Sequence, residues 1–335
     1  MKVKKVLILG SEEKFSIEKM YERGFKLNKV KVNVLHVYNI KKTFFFKLFW
    51  KYLRFIYFFL IRIKIIRYIR FNNDYDLIIV FKGLYLKENF INKIKKLSSK
   101  SKLINIFTDD PFDTAYFKDI SNKNILNTIP EFDHIFIYSK KILKKLKSRY
   151  PNNYFSYLPF AHDTFIHKRK NKVRKKKYDI SFIGTADIDR YKFIQKLKNN
   201  KIIIAGDGWD KFKLEKNITV NKSVNYRDYS SIINQSIISL NILRKQNLDS
   251  HNMKTFEIPS MGGLLLTKKN KDQNQFFPEN FACIMYNNIN DAKLILNKVK
   301  TNIKKYTSIR NAGYKIAKKH SYKNRAKFLI NTLND

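Results

Sequence analysis

Short unbroken apolar runs, each closed by polar residues or a glycine, recur along the chain. They alternate with stretches whose apolar positions fall three and four residues apart. In the first half the runs are KVLILG (5–10), KVNVLHV (31–37), DLIIVFKG (76–83), KLINIFTDD (102–110), HIFIYS (134–139) and YFSYLP (154–159). Between them Ile91, Ile94 and Leu97 share a helical face, as do Ile142, Leu143 and Leu146. A strand apolar on both sides needs cover on both sides, the condition of a parallel sheet held between two helical layers. The alternation therefore predicts a doubly wound α/β domain.

The pattern is interrupted at HKRKNKVRKKK (167–177), a basic run that reads as a solvated connection. It then restarts with YDISFIGT (178–185), KIIIAGDGW (201–209), IISLNIL (237–243), GGLLLT (262–267) and FACIMY (281–286). Helical spacing lies between these runs at 190–197, 226–233, 253–261 and 291–299, and again at 309–319 and 322–333. The chain of 335 residues suits two domains of about 150 residues each. The predicted division is a Rossmann-like domain over 1–167, a linker over 168–177, a second such domain over 178–321, and a terminal helix over 322–335. Two open α/β sheets of this kind leave a cleft at the carboxyl ends of their strands, where ligands bind.

Charge changes the picture less than its size suggests. The formal net charge is +42, and Lys, Asn, Ile, Phe and Tyr are all abundant, as in a chain encoded by an AT-rich genome. The excess is dispersed along the chain, so base composition and a functional surface for anionic partners both account for it. One cysteine, Cys283, excludes an intrachain disulfide and a cysteine metal cluster, and fits a reducing cytoplasm. The N-terminal MKVKKVLILG has too short an apolar run for a signal peptide and reads as a strand. In the aromatic and basic stretch 43–70 the longest uncharged run, FIYFFLI, is far below the ~20 residues that span a bilayer. On a helix, Lys47, Lys51, Arg54 and Arg62 would share one face, with Phe46, Phe49, Trp50, Leu53 and Phe59 mostly away from it. Such a helix suits an anionic membrane interface, peripheral on the inner face of the plasma membrane, or packs its aromatic side on its own domain.

Neither half carries a GxGxxG fingerprint, a P-loop, HExxH or GxSxG. In the second half SFIGT runs a strand into a turn of small residues at Gly184. Arg190 follows at a helix start, where a guanidinium can pair with diphosphate oxygens. AGDGW places a second glycine turn, at Gly206, on another strand end. In HNMKTFEIPSMGGLLLT (251–267), Glu257 sits on a short helix that ends at Gly262 and Gly263. A carboxylate there can accept both hydroxyls of a ribose, and Lys254 suits phosphate charge; a surface acid and a glycine helix cap explain the same letters. In the first half Asp109 and Asp110 follow a strand and precede Pro111. They suit an acceptor hydroxyl or a cationic transition state, or equally a turn ahead of proline. His162, in PFAHD, is a further catalytic candidate or a hinge residue.

The series DISFIGT, IIIAGDGW, SIISLNILR and HNMKTFEIPSMGGLLLT resembles the C-terminal domain of CgeB-like glycosyltransferases, a GT-B group related to the family-4 retaining enzymes. The closing HSYKNRAKFLINTL, and FTDDP and YLPFAHD in the first half, are similar to that group as well. The resemblance is densest over 179–267. It implies a cytoplasmic GT-B enzyme of cell-surface glycan synthesis that moves a sugar from a nucleoside-diphosphate-sugar donor to a polysaccharide, lipid-linked or protein hydroxyl. It implies no cofactor and no metal, and a terminal helix that returns to the first domain. Glu257 would hold the donor ribose and Arg190 the diphosphate, with Gly184, Gly206, Arg244, Lys254, Gly262 and Gly263 completing the donor side. The family's first acid, on the transferred sugar, falls at Asp249, and a shorter Asp weakens that correspondence. Lys254 stands where the group has Arg, which keeps the charge but loses bidentate geometry. Asp109 and Asp110 would face the cleft from the acceptor side, and His162, near the hinge, is a further catalytic candidate. The rival readings are a GT-B protein that binds or epimerises a nucleotide-sugar without transfer, and a basic nucleic-acid-binding protein. The second lacks any recognised nucleic-acid motif, so no specific nucleic acid is expected as a partner.

Overall fold

The computed structural model describes residues 2–37, 50–84, 86–113, 122–170, 175–221 and 226–334. The chain divides into two compact units, one formed by Met1–Pro159 with Lys323–Asp335 and the other by Phe160–Tyr322.

The first unit is built on β1 (Lys5–Gly10), β2 (Lys31–His36), β3 (Leu77–Phe81), β4 (Lys102–Phe107), β5 (His134–Ile137) and β6 (Phe155–Tyr157). All pair in parallel, in the order β2-β1-β3-β4-β5-β6. The central strand β3 is buried at every position, whereas the edge strand β2 alternates between exposed and covered, as its mixed sequence KVNVLH requires. Strand order reverses between β1 and β3, so their carboxyl ends open a crevice in this sheet.

The second unit carries β7 (Tyr178–Ile183), β8 (Ile202–Ala205), β9 (Ile218–Asn221), β10 (Ser236–Asn241), β11 (Leu265–Lys268) and β12 (Ile284–Tyr286). The order is β12-β11-β10-β7-β8-β9, again all parallel, with the reversal between β7 and β10. Phe182, Trp209, Ile238 and Leu266 lie in its core, each almost wholly buried. Two elements escape the apolar pattern. β9 is an edge strand of mixed polarity, ITVN, and the helix Lys271–Phe276 is short and largely polar.

The division between units falls ahead of the basic run, at Pro159 and Phe160. The segment after Phe160 is tied to the second unit. The Phe160 N–H donates to His251 Nε2 at 3.1 Å, and the His162 N–H donates to the His320 carbonyl at 3.0 Å. Of the basic run itself, 171–174 lie outside the described residues. The helix Tyr322–Asn334 counts, from Lys323 on, with the first unit. There Asn28 Nδ2 donates to the Lys323 carbonyl at 2.8 Å, and Arg325 Nε donates to the Pro159 carbonyl at 2.9 Å.

The helix Trp50–Phe71 sits in the first unit with Ile61, Ile65 and Ile69 turned inward. This corrects the expected facing of the 43–70 stretch. Arg62, assigned to the shared cationic face, is partly covered, and burial lowers its pKa. Phe59, assigned to the opposite side, is 55% exposed. The isoleucines at four-residue spacing outcompete the more scattered aromatics for the buried stripe. Residues 43–49 lie outside the described residues, as do the side chains of 50–54. Among the described residues no helix is long and apolar enough to cross a membrane.

Candidate functional site

In the second unit the sheet's reversal brings the end of β7 beside the end of β10. Gly184 and Thr185 follow β7, and two backbone bonds join this turn to the one after β8. The Gly184 N–H donates to the Ala205 carbonyl and the Ala186 N–H to the Asp207 carbonyl, both at 2.8 Å. The Trp209 indole N–H closes the pair of turns on the Gly184 carbonyl at 2.9 Å. Gly206 has φ +140°, and a Cβ on it would stand 2.4 Å from the Gly184 oxygen. Close approach is thus the reason for the second glycine turn seen in the sequence.

Arg190 belongs to the helix Ile188–Gln195, which Asp187 caps by accepting the Arg190 backbone N–H at 2.9 Å. Its guanidinium lies at the reversal. Nη1 donates to the Thr185 carbonyl at 2.9 Å and Nη2 to the Ile242 carbonyl at 3.0 Å, so one side chain ties the ends of β7 and β10. A diphosphate would have to compete with both bonds. Arg244 stands nearby, half-buried, with Nε 3.9 Å from Asp187 Oδ2.

Glu257, on the helix Met253–Ser260, is 1% exposed. The helix starts on a reciprocal cap in which Asn252 accepts the Thr255 N–H and Thr255 answers the Asn252 N–H. Glu257 Oε2 accepts from Lys254 Nζ, and Lys254 also lies over the Tyr229 ring at 5.0 Å. Glu257 Oε1 faces His167 Nε2 at 3.6 Å. Because His167 Nδ1 accepts the Asp163 N–H at 3.0 Å, a neutral His167 carries its proton on Nε2, toward the carboxylate. Burial pushes the Glu257 carboxyl up, but Lys254 and His167 outweigh it, and its pKa is lowered. The result is a buried carboxylate held ionised, with Oε1 beyond hydrogen-bond length from His167 Nε2.

The helix ends at the predicted glycines. Gly262 has φ +78°, and its N–H donates to the Pro259 carbonyl at 2.9 Å; the Gly263 N–H donates to the Ile258 carbonyl at 3.0 Å. This is a glycine-terminated helix end. Asp249 is exposed on the loop before the helix, unlike the buried Glu257.

His162 is 5% exposed, and Nδ1 is buried without a hydrogen-bond partner. Burial, then His167, lowers its pKa from 6.5 to about 4, against the opposing pull of the His320 backbone, Asp163 and Glu257. The folded ring is therefore neutral between these values, whereas an unfolded one binds a proton. Stability must then rise with pH through that window and be lost as pH falls toward 4. The cost at this ring is about 3 kcal/mol. Urea unfolding across pH 4 to 6.5 is expected to give a shallower stability slope in His162→Gln than in the wild type. An unchanged slope would refute this account of His162.

In the first unit Asp109 and Asp110 follow β4. Asp109 is 8% exposed, and its Oδ2 meets Lys82 Nζ at 2.7 Å. Lys82 follows β3 in a left-handed conformation, φ 61°. Glu18, in the first turn of the helix Ile17–Lys26, packs under Gly10, where a Cβ would meet its Cγ at 2.5 Å. Burial raises the Glu18 carboxyl, opposed by the Glu18 and Ser11 backbone and by Lys82. Burial, together with Asp109, Asp110 and Asp113, raises the Tyr138 hydroxyl. Asp110 Oδ1 instead accepts the Phe112 N–H at 2.9 Å, forming the turn across Pro111. Glu18, Lys82, Tyr138 and His167 are absent from the residues singled out in the sequence, because no local spacing joins them to Asp109 or Glu257.

The buried pair His251–Asp272, with Nδ1 and Oδ2 2.6 Å apart, is likewise long-range; its ring sits edge-on to Phe160, Phe256 and Phe276. Among the described residues no three His, Cys, Asp or Glu side chains converge as a metal site.

Residues 190–331 match the family described as glycosyl transferase-like. No curated protein sequence matches the chain. Among solved structures, sucrose-phosphate synthase from Thermosynechococcus elongatus superposes with TM-score 0.69 at 7% identity, over 99% of this chain and 98% of that one. Anabaena HepE in complex with UDP and glucose gives TM-score 0.65 at 10% identity, covering 99% of both chains. T4 phage BGT in complex with its substrate UDP-glucose gives 0.57 at 13% identity, covering 98% of both. The chain thus has the GT-B fold, two parallel-sheet α/β domains with six strands each among the described residues, and its residues 190–331 are similar to the glycosyl transferase-like family.

Proposed function

We propose that the protein transfers a sugar from a nucleoside-diphosphate-sugar to a hydroxyl acceptor, as a CgeB-like, family-4-related retaining enzyme working without a metal. The observation that carries this is Glu257, a buried carboxylate kept ionised by Lys254 and His167 on the helix that precedes β11. An ionised carboxylate with a free lone pair suits the vicinal hydroxyls of a ribose. Lys254 supplies positive charge for the diphosphate, and Arg244 offers a second, half-exposed guanidinium. Arg190 acts by holding the β7 and β10 ends in place. The solved neighbours that hold UDP-glucose, HepE and T4 phage BGT, support this choice of donor class. Asp109 orients the acceptor hydroxyl, its carboxylate paired with Lys82. The acceptor is a surface polysaccharide, a lipid-linked glycan or a protein, and synthesis takes place in the cytoplasm.

A thermal-shift screen with UDP-, GDP-, dTDP- and CMP-sugars, followed by transfer assays with and without chelator, tests the reading. One donor at a hundred times its Kd stabilises the fold by about 2.7 kcal/mol. Transfer is expected to survive chelation. A panel in which no donor raises Tm would sink the proposal, and donor binding with interconversion but no transfer would move it to an epimerase.

A further inference from the structure

We infer that the outward face of the helix Trp50–Phe71, with the groove beside it, is a docking surface for an anionic phospholipid bilayer. The inward stripe of this helix is already filled by Ile61, Ile65 and Ile69, yet the opposite side is also apolar. Phe55 is 74% exposed, Ile56 54%, Phe59 55% and Leu60 57%. These residues cluster in the earlier turns, while Lys64, Arg67 and Arg70 occupy the same outer side in the later ones. At 1.5 Å per residue the face runs about 22 Å from Phe55 to Arg70. A purely apolar face would suit another protein, and a purely cationic one any polyanion. Apolar turns followed by basic turns match an interface where acyl chains lie beneath charged headgroups.

The groove makes the charge argument sharper. It has a volume of about 440 Å³ and lies between this helix and the helix Glu88–Leu97. Arg62, Arg67, Arg70 and Lys93 line it, together with Phe59 and Ile63, and among the described residues no carboxylate does. Cations gathered without acids attract phosphate, and the apolar wall beside them accepts the start of an acyl chain. Such a face would hold the protein where lipid-linked acceptors are found, whether or not the donor site is occupied.

The test is sedimentation of the full chain with vesicles of phosphatidylcholine alone and of phosphatidylcholine mixed with phosphatidylglycerol. Binding is expected only to the mixed vesicles and is expected to weaken with salt. The triple substitution Arg67→Gln, Arg70→Gln, Lys93→Gln is expected to reduce partitioning about a hundredfold. The pair Phe55→Ser, Phe59→Ser is expected to lower it while circular dichroism and any donor-induced thermal shift stay unchanged. Equal binding to neutral vesicles, or binding indifferent to the triple substitution, overturns the inference. So does a concentration-dependent dimer abolished by the Phe pair without vesicle binding, which assigns the face to a second copy. If the Phe pair costs stability and leaves vesicle binding intact, the face is covered by the chain itself, and the inference again falls.

Discussion

Glu257→Gln is expected to weaken donor binding about ten- to a hundredfold, with a smaller loss of folding stability than Glu257→Ala. Glutamine keeps the shape of the side chain and can still accept from Lys254 Nζ through its carbonyl oxygen. What it loses is the negative charge, and hydrogen bonds to a charged acceptor are the stronger kind. The alternative, Glu257→Ala, is less informative. It strands Lys254 and His167 beside a vacancy in a site 1% exposed, and breaking a buried pair costs about 3 to 5 kcal/mol. Any loss of binding in the alanine variant would then be entangled with loss of fold. Isothermal calorimetry on the glutamine variant, with Tm recorded beside it, separates the two effects. Donor affinity equal to wild type in a folded Glu257→Gln protein would remove the central support for the proposed function.

Gly206→Ala is expected to produce the largest loss of stability of any single methyl added at this site, about 3 kcal/mol or more. Two causes act together. The backbone there has φ +140°, and a Cβ would lie 2.4 Å from the Gly184 oxygen and 2.7 Å from the Gly184 carbon. Those neighbours are backbone, so relief requires the ends of β7 and β8 to part. Parting them strains the Gly184 to Ala205 and Ala186 to Asp207 bonds, each 2.8 Å, and the Trp209 bond to Gly184. Gly184→Ala is the matched comparison. Its Cβ would first meet Phe182 Cζ at 3.1 Å, the end of a side chain, and its φ is not in the left-handed region. Chemical denaturation should therefore rank Gly206→Ala well below Gly184→Ala in stability, and the reverse ranking would contradict the close-approach account.

The architecture was legible in the residues because it rests on a local signal. KVLILG, DLIIVF, YDISFI and SIISLN are long enough, and apolar enough on both sides, to announce buried parallel strands. ITVN was not, since an edge strand has one paired side and tolerates polar residues. The candidate site was legible only in part, for the same reason. Gly206, Gly262 and Glu257 stand out in short motifs, and each has a definite structural task. The partners that set their chemistry lie far away along the chain: His167 for Glu257, Lys82 for Asp109, Thr185 and Ile242 for Arg190.

The order of apolar and polar residues was thus enough to specify two successive doubly wound sheets and the glycine turns at their strand ends, because side-chain periodicity and backbone freedom are properties of a few neighbouring residues. Which carboxylate is ionised, which guanidinium is already spent on carbonyls, and which of two apolar sides of the helix Trp50–Phe71 faces out depended on strand order and packing. Those are decided by contacts between segments tens of residues apart, where burial and charge are set by the neighbours the fold brings in rather than by the neighbours along the chain.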